Sequence, residues 1–320
     1  MVGAAGGPLV GLWWSDPWID REEASALTHG RIDWTTDPDA FDTADLVVVP
    51  LPSARALPLR RPHAAQVWAL WSQESIVNFS TLKDVRLLRQ YDLRMTYRLD
   101  ADITIPYFQL DAFDRLQPLV PLAEREVAPL SAWVSAARDR CGRAGYLREL
   151  VDAMPVDSYG RVHQTRTLPS DAGTASKLAT IAQYRFTLAF ENSLTPDYVT
   201  EKLFQPLVMG SVPVVRGAPN VAEFAPSPES YVDATAFASA EQLARHLLSI
   251  DDTTYARFHR WREDGSIERW RQRWAPIVGR HPLQRLADAL PVLRLGRIAA
   301  ARAGHAAAGD ELGDGAVEHV

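Results

Sequence analysis

Residues 184–217, YRFTLAFENSLTPDYVTEKLFQPLVMGSVPVVRG, leave little freedom in local architecture. A short apolar run at 186–190 gives way to a polar stretch at 191–200, then to a helical pattern at 200–209, then to a β-branched run at 212–215. Strand, loop, helix and strand in that order form a βαβ unit, which belongs in a parallel sheet covered on both faces. Runs of the same kind flank it: 132–135, 156–159 and 230–233 are strand-sized, and 143–153 and 240–250 carry helical spacing. The first half alternates less cleanly, with strands expected at 9–14, 46–49, 67–71 and 103–105 and a helix at 82–90. The expected fold class is therefore α/β with two parallel-sheet halves.

The joint is expected within 111–129, where Pro118, Pro121 and Pro129 stand among charges without a strand pattern. This divides the chain into an N-terminal domain at 1–115, a linker at 116–130 and a C-terminal domain at 131–295. Residues 296–320, rich in Ala and Gly and ending GDELGDGAVEHV, are expected to be a disordered tail. A helical pattern with arginines among leucines spans 283–303, interrupted by Pro291 and Gly296. Packing against a domain is favoured for it; weak peripheral membrane association stays open.

Composition excludes several function classes. Lys and Arg total 34 against 40 Asp and Glu, a formal charge of -6, so no nucleic-acid partner held by bulk charge is expected. The single cysteine, Cys141, allows neither an intrachain disulfide nor a cysteine zinc site. The start, MVGAAGGPLVGLWW, lacks the basic opening of a secretory signal, and no run reaches membrane-span length, so a soluble cytoplasmic protein is expected. Tryptophans gather early (Trp13, Trp14, Trp18, Trp34, Trp68, Trp71) and late (Trp261, Trp270, Trp274). Most belong in a core, and a sugar ring is a partner open to the others.

The chemistry concentrates in the loop at 191–200. It leaves the carboxyl end of a parallel strand, the usual ligand position in open α/β sheets. Thr200 caps the next helix, placing Glu201 and Lys202 in its first turn, where unpaired N–H groups, the helix dipole and an ammonium suit a diphosphate. The plainer alternative is a Glu201 that favours the dipole and a solvated Lys202. Pro206 is expected to kink that helix.

FENSLTPDYVTEK followed by GSVPVVRG resembles the hallmark block of the α1,3-fucosyltransferases, glycosyltransferase family 10. Further similarity lies in TYRLDADITIPY (96–107), WSQES (71–75), AWVSAARDRCGRAGYLREL, VDSYG and FHRWRE, so about 67–263 is covered. The resemblance implies a GT-B fold, two Rossmann-like domains facing a central cleft. It also implies inverting transfer from GDP-fucose, as donor substrate with no cofactor required, to a glycan or glycoconjugate acceptor, typically O3 of N-acetylglucosamine. Vertebrate members carry an anchor, a stem and disulfides; none is legible here, which keeps a cytoplasmic, optionally membrane-associated, enzyme as the expectation.

By the same resemblance Glu74, beyond the strand at 67–71, is the catalytic base, although Ile76 stands where the family has proline. Lys202 and Arg143 meet the diphosphate, with Arg138, Arg140 and Arg148 as rivals of Arg143. Asn192, Tyr198, Glu201 and Tyr107 carry over as donor contacts, and Glu191 orients the loop. Asp100-Ala101-Asp102 looks like a metal-binding D-x-D triplet but lies far from the donor block in sequence, and no metal is expected. Asn78-Phe79-Ser80 matches a glycosylation triplet of the sort common by chance. Two other readings stay open: the same fold with another GDP-sugar or a small natural-product acceptor, and a non-catalytic glycan- or nucleotide-binding module.

Overall fold

The computed structural model describes residues 7–15, 19–58, 60–136 and 139–311; Trp18, Arg138, 1–6 and 312–320 lie outside them. The first half contains β1 (Leu9–Trp13), α1 (Arg21–Leu27), β2 (Ile32–Thr35), β3 (Leu46–Pro50), β4 (Val67–Ser72), α2 (Val85–Leu88), β5 (Leu93–Thr96) and β6 (Ile103–Thr104). Its six strands pair in the order β2-β1-β3-β4-β5-β6, every pair parallel. Every residue of β3 and β4 is buried, as central strands covered on both faces require. β2 and β5 are too short and too polar to read from sequence: Asp33 and Arg94 interrupt them and point to solvent. Where a helix was expected at 82–90, only a 3-10 turn at Ser80–Lys83 and the single turn α2 form. Gly11 breaks the apolar run of β1 because a Cβ there would stand 2.6 Å from Ile32 and 2.8 Å from Trp34.

The second half contains β7 (Leu130–Ala132), α3 (Arg143–Ala153), β8 (Val156–Ser158), α4 (Thr174–Ile181), β9 (Phe186–Phe190), α5 (Glu201–Met209), β10 (Val212–Arg216), β11 (Val232–Asp233), α6 (Ala240–Ser249), α7 (Asp252–Arg257) and α8 (Ser266–Val278). Its five strands are ordered β11-β10-β9-β7-β8, again parallel. β8 and β9 lie on opposite sides of β7, so strand order reverses there. The crevice between the loops that leave β7 and β9 is the topological switch point. α5 runs through Pro206 to Met209 and ends on Gly210 in the left-handed region.

One expectation about the chain's course is corrected. The second half was expected to run to 295 and a tail to begin at 296; instead α9 spans Pro282–Glu311 and returns to the first sheet. Leu283, Leu286, Ala287 and Leu290 form one helical face, and all four are buried in the core with β3, β4 and β6. Ion pairs Arg294–Asp45 (2.5 Å), Arg297–Asp92 (2.7 Å) and Arg31–Asp288 (2.7 Å) fix that seat. No helix among the described residues is long and apolar enough to cross a membrane.

The joint is likewise packed. Phe108 lies 4.5 Å from the ring of Phe204 and 5.1 Å from Trp270 and Trp274, and Phe113 meets Trp261 and Trp270. The late tryptophans are thus core, not sugar platforms. Within the expected linker Arg125 is buried, and its guanidinium donates to the carbonyls of Val120, Tyr184 and Gly210 and to the Tyr255 hydroxyl. His259 is buried beside it, and burial, then the charges of Arg262 and Arg125, push its pKa down to about 3.

The fold therefore holds this imidazole neutral, while an unfolded chain takes the proton near pH 6.5. Stability from this group is present above about 6.5 and is lost as pH falls toward about 3. His259→Phe is expected to gain stability relative to wild type between pH 7 and pH 4.5, read as the difference between their urea midpoints. An unchanged difference contradicts this account.

Candidate active site

At the switch point the chain buries a carboxylate. Glu191, the first residue past β9, is 3% exposed, and Oε1 accepts from the Thr200 N–H and the Thr200 hydroxyl, each at 2.8 Å. Thr200 caps α5 through the N–H of Lys202, and its hydroxyl oxygen accepts from the Lys202 ammonium at 2.9 Å. That ammonium also stands 3.4 Å from Glu191 Oε2 and 3.1 Å from Glu201 Oε1. Burial drives the Glu191 pKa up against the pull of Lys202 and Thr200. Burial opposes the charge of Lys202 too, yet Glu191 and Glu201 hold its pKa above the ordinary lysine value.

Open N–H groups are expected from sequence at the start of α5. There Glu191 binds the N–H and hydroxyl of the cap residue Thr200, while the Lys202 N–H turns to the Thr200 hydroxyl oxygen. At the start of α3, Asp139 accepts from the N–H groups of Cys141, Arg143 and Ala144, at 3.1, 3.0 and 2.7 Å. Burial works against that carboxylate, but the N–H bonds hold it at about 2. Arg143 is buried, donates to the carbonyls of Phe190 (3.2 Å) and Ala136 (3.4 Å), and leaves Nε without a partner. Its charge acts on Lys202. Arg140 and Arg148 are exposed, and Arg138 lies outside the described residues.

The loop at 191–200 also forms the seam with the first half. Ser75 Oγ and Ser193 Oγ lie 2.5 Å apart, and Asn78 donates to Asn192 Oδ1 at 3.0 Å. The Leu99 N–H donates to Asp197 at 3.2 Å. Asp197 has a positive φ of 66°, and Asn220 satisfies both its N–H and its carboxylate, each at 2.9 Å. Asn78 is therefore an interior contact. The seam sets Glu74, exposed just before Ser75, beside two tyrosines. Tyr198 packs edge-on to Tyr97 (5.0 Å) and Tyr107 (5.9 Å), and the Tyr107 hydroxyl donates to the Gln73 carbonyl. Burial, then Glu191 and Glu74, raise the Tyr198 pKa. Burial, Tyr198 and again Glu74 raise that of Tyr107.

Glu74 and Tyr107 from one half thus converge with Tyr198, Glu201 and Lys202 from the other, with Arg143 behind Lys202 and Asn192 turned into the seam. A cavity of about 450 Å³ opens among Gln73, Tyr107, Glu201, Phe204 and Gln205. A larger one, about 740 Å³, extends from Gln73 past Trp71 to His281. Both are lined by Gln73, the neighbour of Glu74. The D-x-D carboxylates are committed elsewhere: Asp100 binds Arg98 through two nitrogens at 2.9 and 3.0 Å, and Asp102 accepts from the Arg94 N–H at 2.7 Å. Sequence reasoning missed Asp139, Ser75 and Asn78. The last two follow closely on Glu74, but their partners lie more than a hundred residues away, and no local signal pairs them.

The family model "Glycosyltransferase family 10 (fucosyltransferase) C-term" matches residues 125–287, and "Fucosyltransferase, N-terminal" matches 8–108. "4-galactosyl-N-acetylglucosaminide 3-alpha-L-fucosyltransferase FUT5" of Homo sapiens is 35% identical over 272 residues, covering 80% of this chain and 70% of its own. "Alpha-(1,3)-fucosyltransferase 7" of Rattus norvegicus is 36% identical, covering 71% of this chain and 60% of its own. For a "Putative fucosyltransferase-like protein" of Arabidopsis thaliana, 36% identical, the shares are 55% and 34%. The chain thus spans between a third and two thirds of the length of several of these relatives. A solved alpha1,3-fucosyltransferase with GDP-fucose superposes with a TM-score of 0.56 at 17% identity, covering 81% of this chain and 83% of that one. That likeness, with the two parallel sheets, shows the GT-B fold.

Thr200→Val keeps the shape of the side chain and removes the hydroxyl shared by Glu191 and Lys202. The expected loss is about 1–3 kcal/mol of unfolding free energy in urea titration, with partial recovery in Thr200→Ser. No loss would show that the buried carboxylate does not need this bond.

Proposed function

The chain belongs to glycosyltransferase family 10, the fucosyltransferases, and on that premise we propose that it transfers fucose from GDP-fucose to a glycan hydroxyl with inversion at C1. The preferred acceptor in this reading is O3 of N-acetylglucosamine within a lactosamine unit, in keeping with the name of the human relative. The observation that carries the reading is the meeting of one exposed carboxylate, Glu74, with a charged, largely buried lysine, Lys202, across the Tyr107–Tyr198 pair.

In the proposed reaction the acceptor oxygen attacks C1 of fucose and gives its proton to Glu74. The bond from C1 to the β-phosphate oxygen breaks, and its electron pair leaves with GDP. An inverting displacement needs this base on the acceptor side and positive charge on the leaving side. Lys202 suits the leaving side because Glu191 and Glu201 keep it protonated. Arg143 provides a second cation whose guanidinium is held by main-chain carbonyls. Asn192, Tyr198, Glu201 and Tyr107 complete the donor contacts in this reading. In this reading leaving-group charge is met by side chains, and Asp100 and Asp102 pair with Arg98 and Arg94 instead.

With GDP-fucose and N-acetyllactosamine, the wild-type chain is expected to release GDP and form fucosylated product. The absence of both with every acceptor in a lactosamine panel would count against the assignment. Glu74→Gln should lower transfer by roughly 10²–10⁴-fold, the range for a lost general base, while leaving the GDP dissociation constant unchanged. Transfer should also persist in EDTA. Loss in EDTA with recovery on adding manganese would overturn the side-chain account of the leaving group.

A further inference from the structure

Lys202 and Arg143 do not leave net positive charge for a diphosphate. Lys202 is shared by Glu191 and Glu201, and those two carboxylates balance the two cations. A bound GDP brings further negative charge to the same place, so the donor reading needs another cation.

One lysine is placed to supply it. Lys177 lies in the first half of α4, which packs against α5. The start of α4 follows the carboxyl end of β8 in chain order, so this end of the helix lies at the ligand edge of the sheet. Lys177 lines a narrow slot with Trp133, Phe190, Lys202 and Gln205. The side chain is half-buried, and among the described residues no carboxylate comes within ion-pair distance of it. The charges that act on it are Glu201, in its favour, and Lys202, against it, and with burial they leave its pKa below the ordinary lysine value. An ammonium that gives up water without an ionic partner is costly unless an anion completes it. Glu201, already engaged with Lys202, stands between the two lysines electrostatically.

We propose that Lys177 is a third donor-binding cation, acting with Lys202 and Arg143 on the diphosphate of the GDP-sugar. This rests on the donor reading above and adds a residue to it. Local sequence carries no hint of the role, because Lys177 lies outside the Phe190–Lys202 block.

Calorimetric titration of the full chain with GDP and GMP tests this. Wild type is expected to favour GDP over GMP. Lys177→Met should weaken GDP binding by about tenfold or more, the size of a lost charge-assisted contact, with little change for GMP. Lys177→Arg should keep most of the preference. If Lys177→Met fails to fold, Lys177→Gln carries the same comparison. A GDP constant within twofold of wild type, or equal losses for GDP and GMP in a folded variant, overturns the proposal. If wild type binds no GDP at all, the donor reading itself fails, and the Lys177 proposal fails with it.

Discussion

A buried carboxylate without partners costs several kcal/mol, and the second half of this chain is organised around meeting that cost at Glu191. The Thr200 N–H and hydroxyl and the Lys202 ammonium converge on it. Because Glu191 begins the loop and Thr200 ends it, the clamp closes the loop and starts α5 in one step. It also fixes which way Lys202 points. The glycine after β10 belongs to the same unit: a Cβ on Gly217 would lie 2.8 Å from Glu191 Cγ, so a side chain there would displace the carboxylate. The stretches FENS…TEK and VVRG are thus one physical object.

The clamp holds the loop from one side, and the first half holds it from the other. Ser75 and Asn78 reach Ser193 and Asn192, and the Leu99 N–H reaches Asp197. The left-handed backbone at Asp197 is kept there by Asn220. Glu74 is carried by the same short segment as Ser75, so the contacts that join the halves also set its carboxylate beside the Tyr107–Tyr198 pair. Phe108 and Phe113 do at the rim what these polar bonds do at the centre, inserting first-half rings among Phe204, Trp261, Trp270 and Trp274.

Order along the chain is a poor guide to which half a segment stabilises. Arg125, in a stretch that reads as a linker, is buried against Tyr184, Gly210 and Tyr255 of the second half. α9, which follows the second half, completes the core of the first. The interior face of α9 was present in the spacing of Leu283, Leu286, Ala287 and Leu290. A helix packed against a domain is the sequence reading of 283–303; that the domain is the first one is what the spacing does not say.

Sequence alone determined the α/β class, most of the central strands, the boundaries of α3 and α5, and the block from Phe190 to Lys202, because these depend on local periodicity and on residue types at short spacing. It also brought Glu74, Tyr107, Arg143 and Tyr198 forward through resemblance. Edge strands such as β2 escaped it, since four residues carry too little pattern, and the helix expected at 82–90 shrank to the single turn α2. Tertiary structure alone decided that Glu191 closes on Thr200, that Asn192 faces Asn78, that α9 returns to the first sheet, and that among the described residues Lys177 has no carboxylate at ion-pair distance. The Asn192–Asn78 pair and the seat of α9 are set by groups far apart in the chain that must satisfy one another's charge, hydrogen bonds or apolar surface once water is removed, and nothing in local sequence records that requirement.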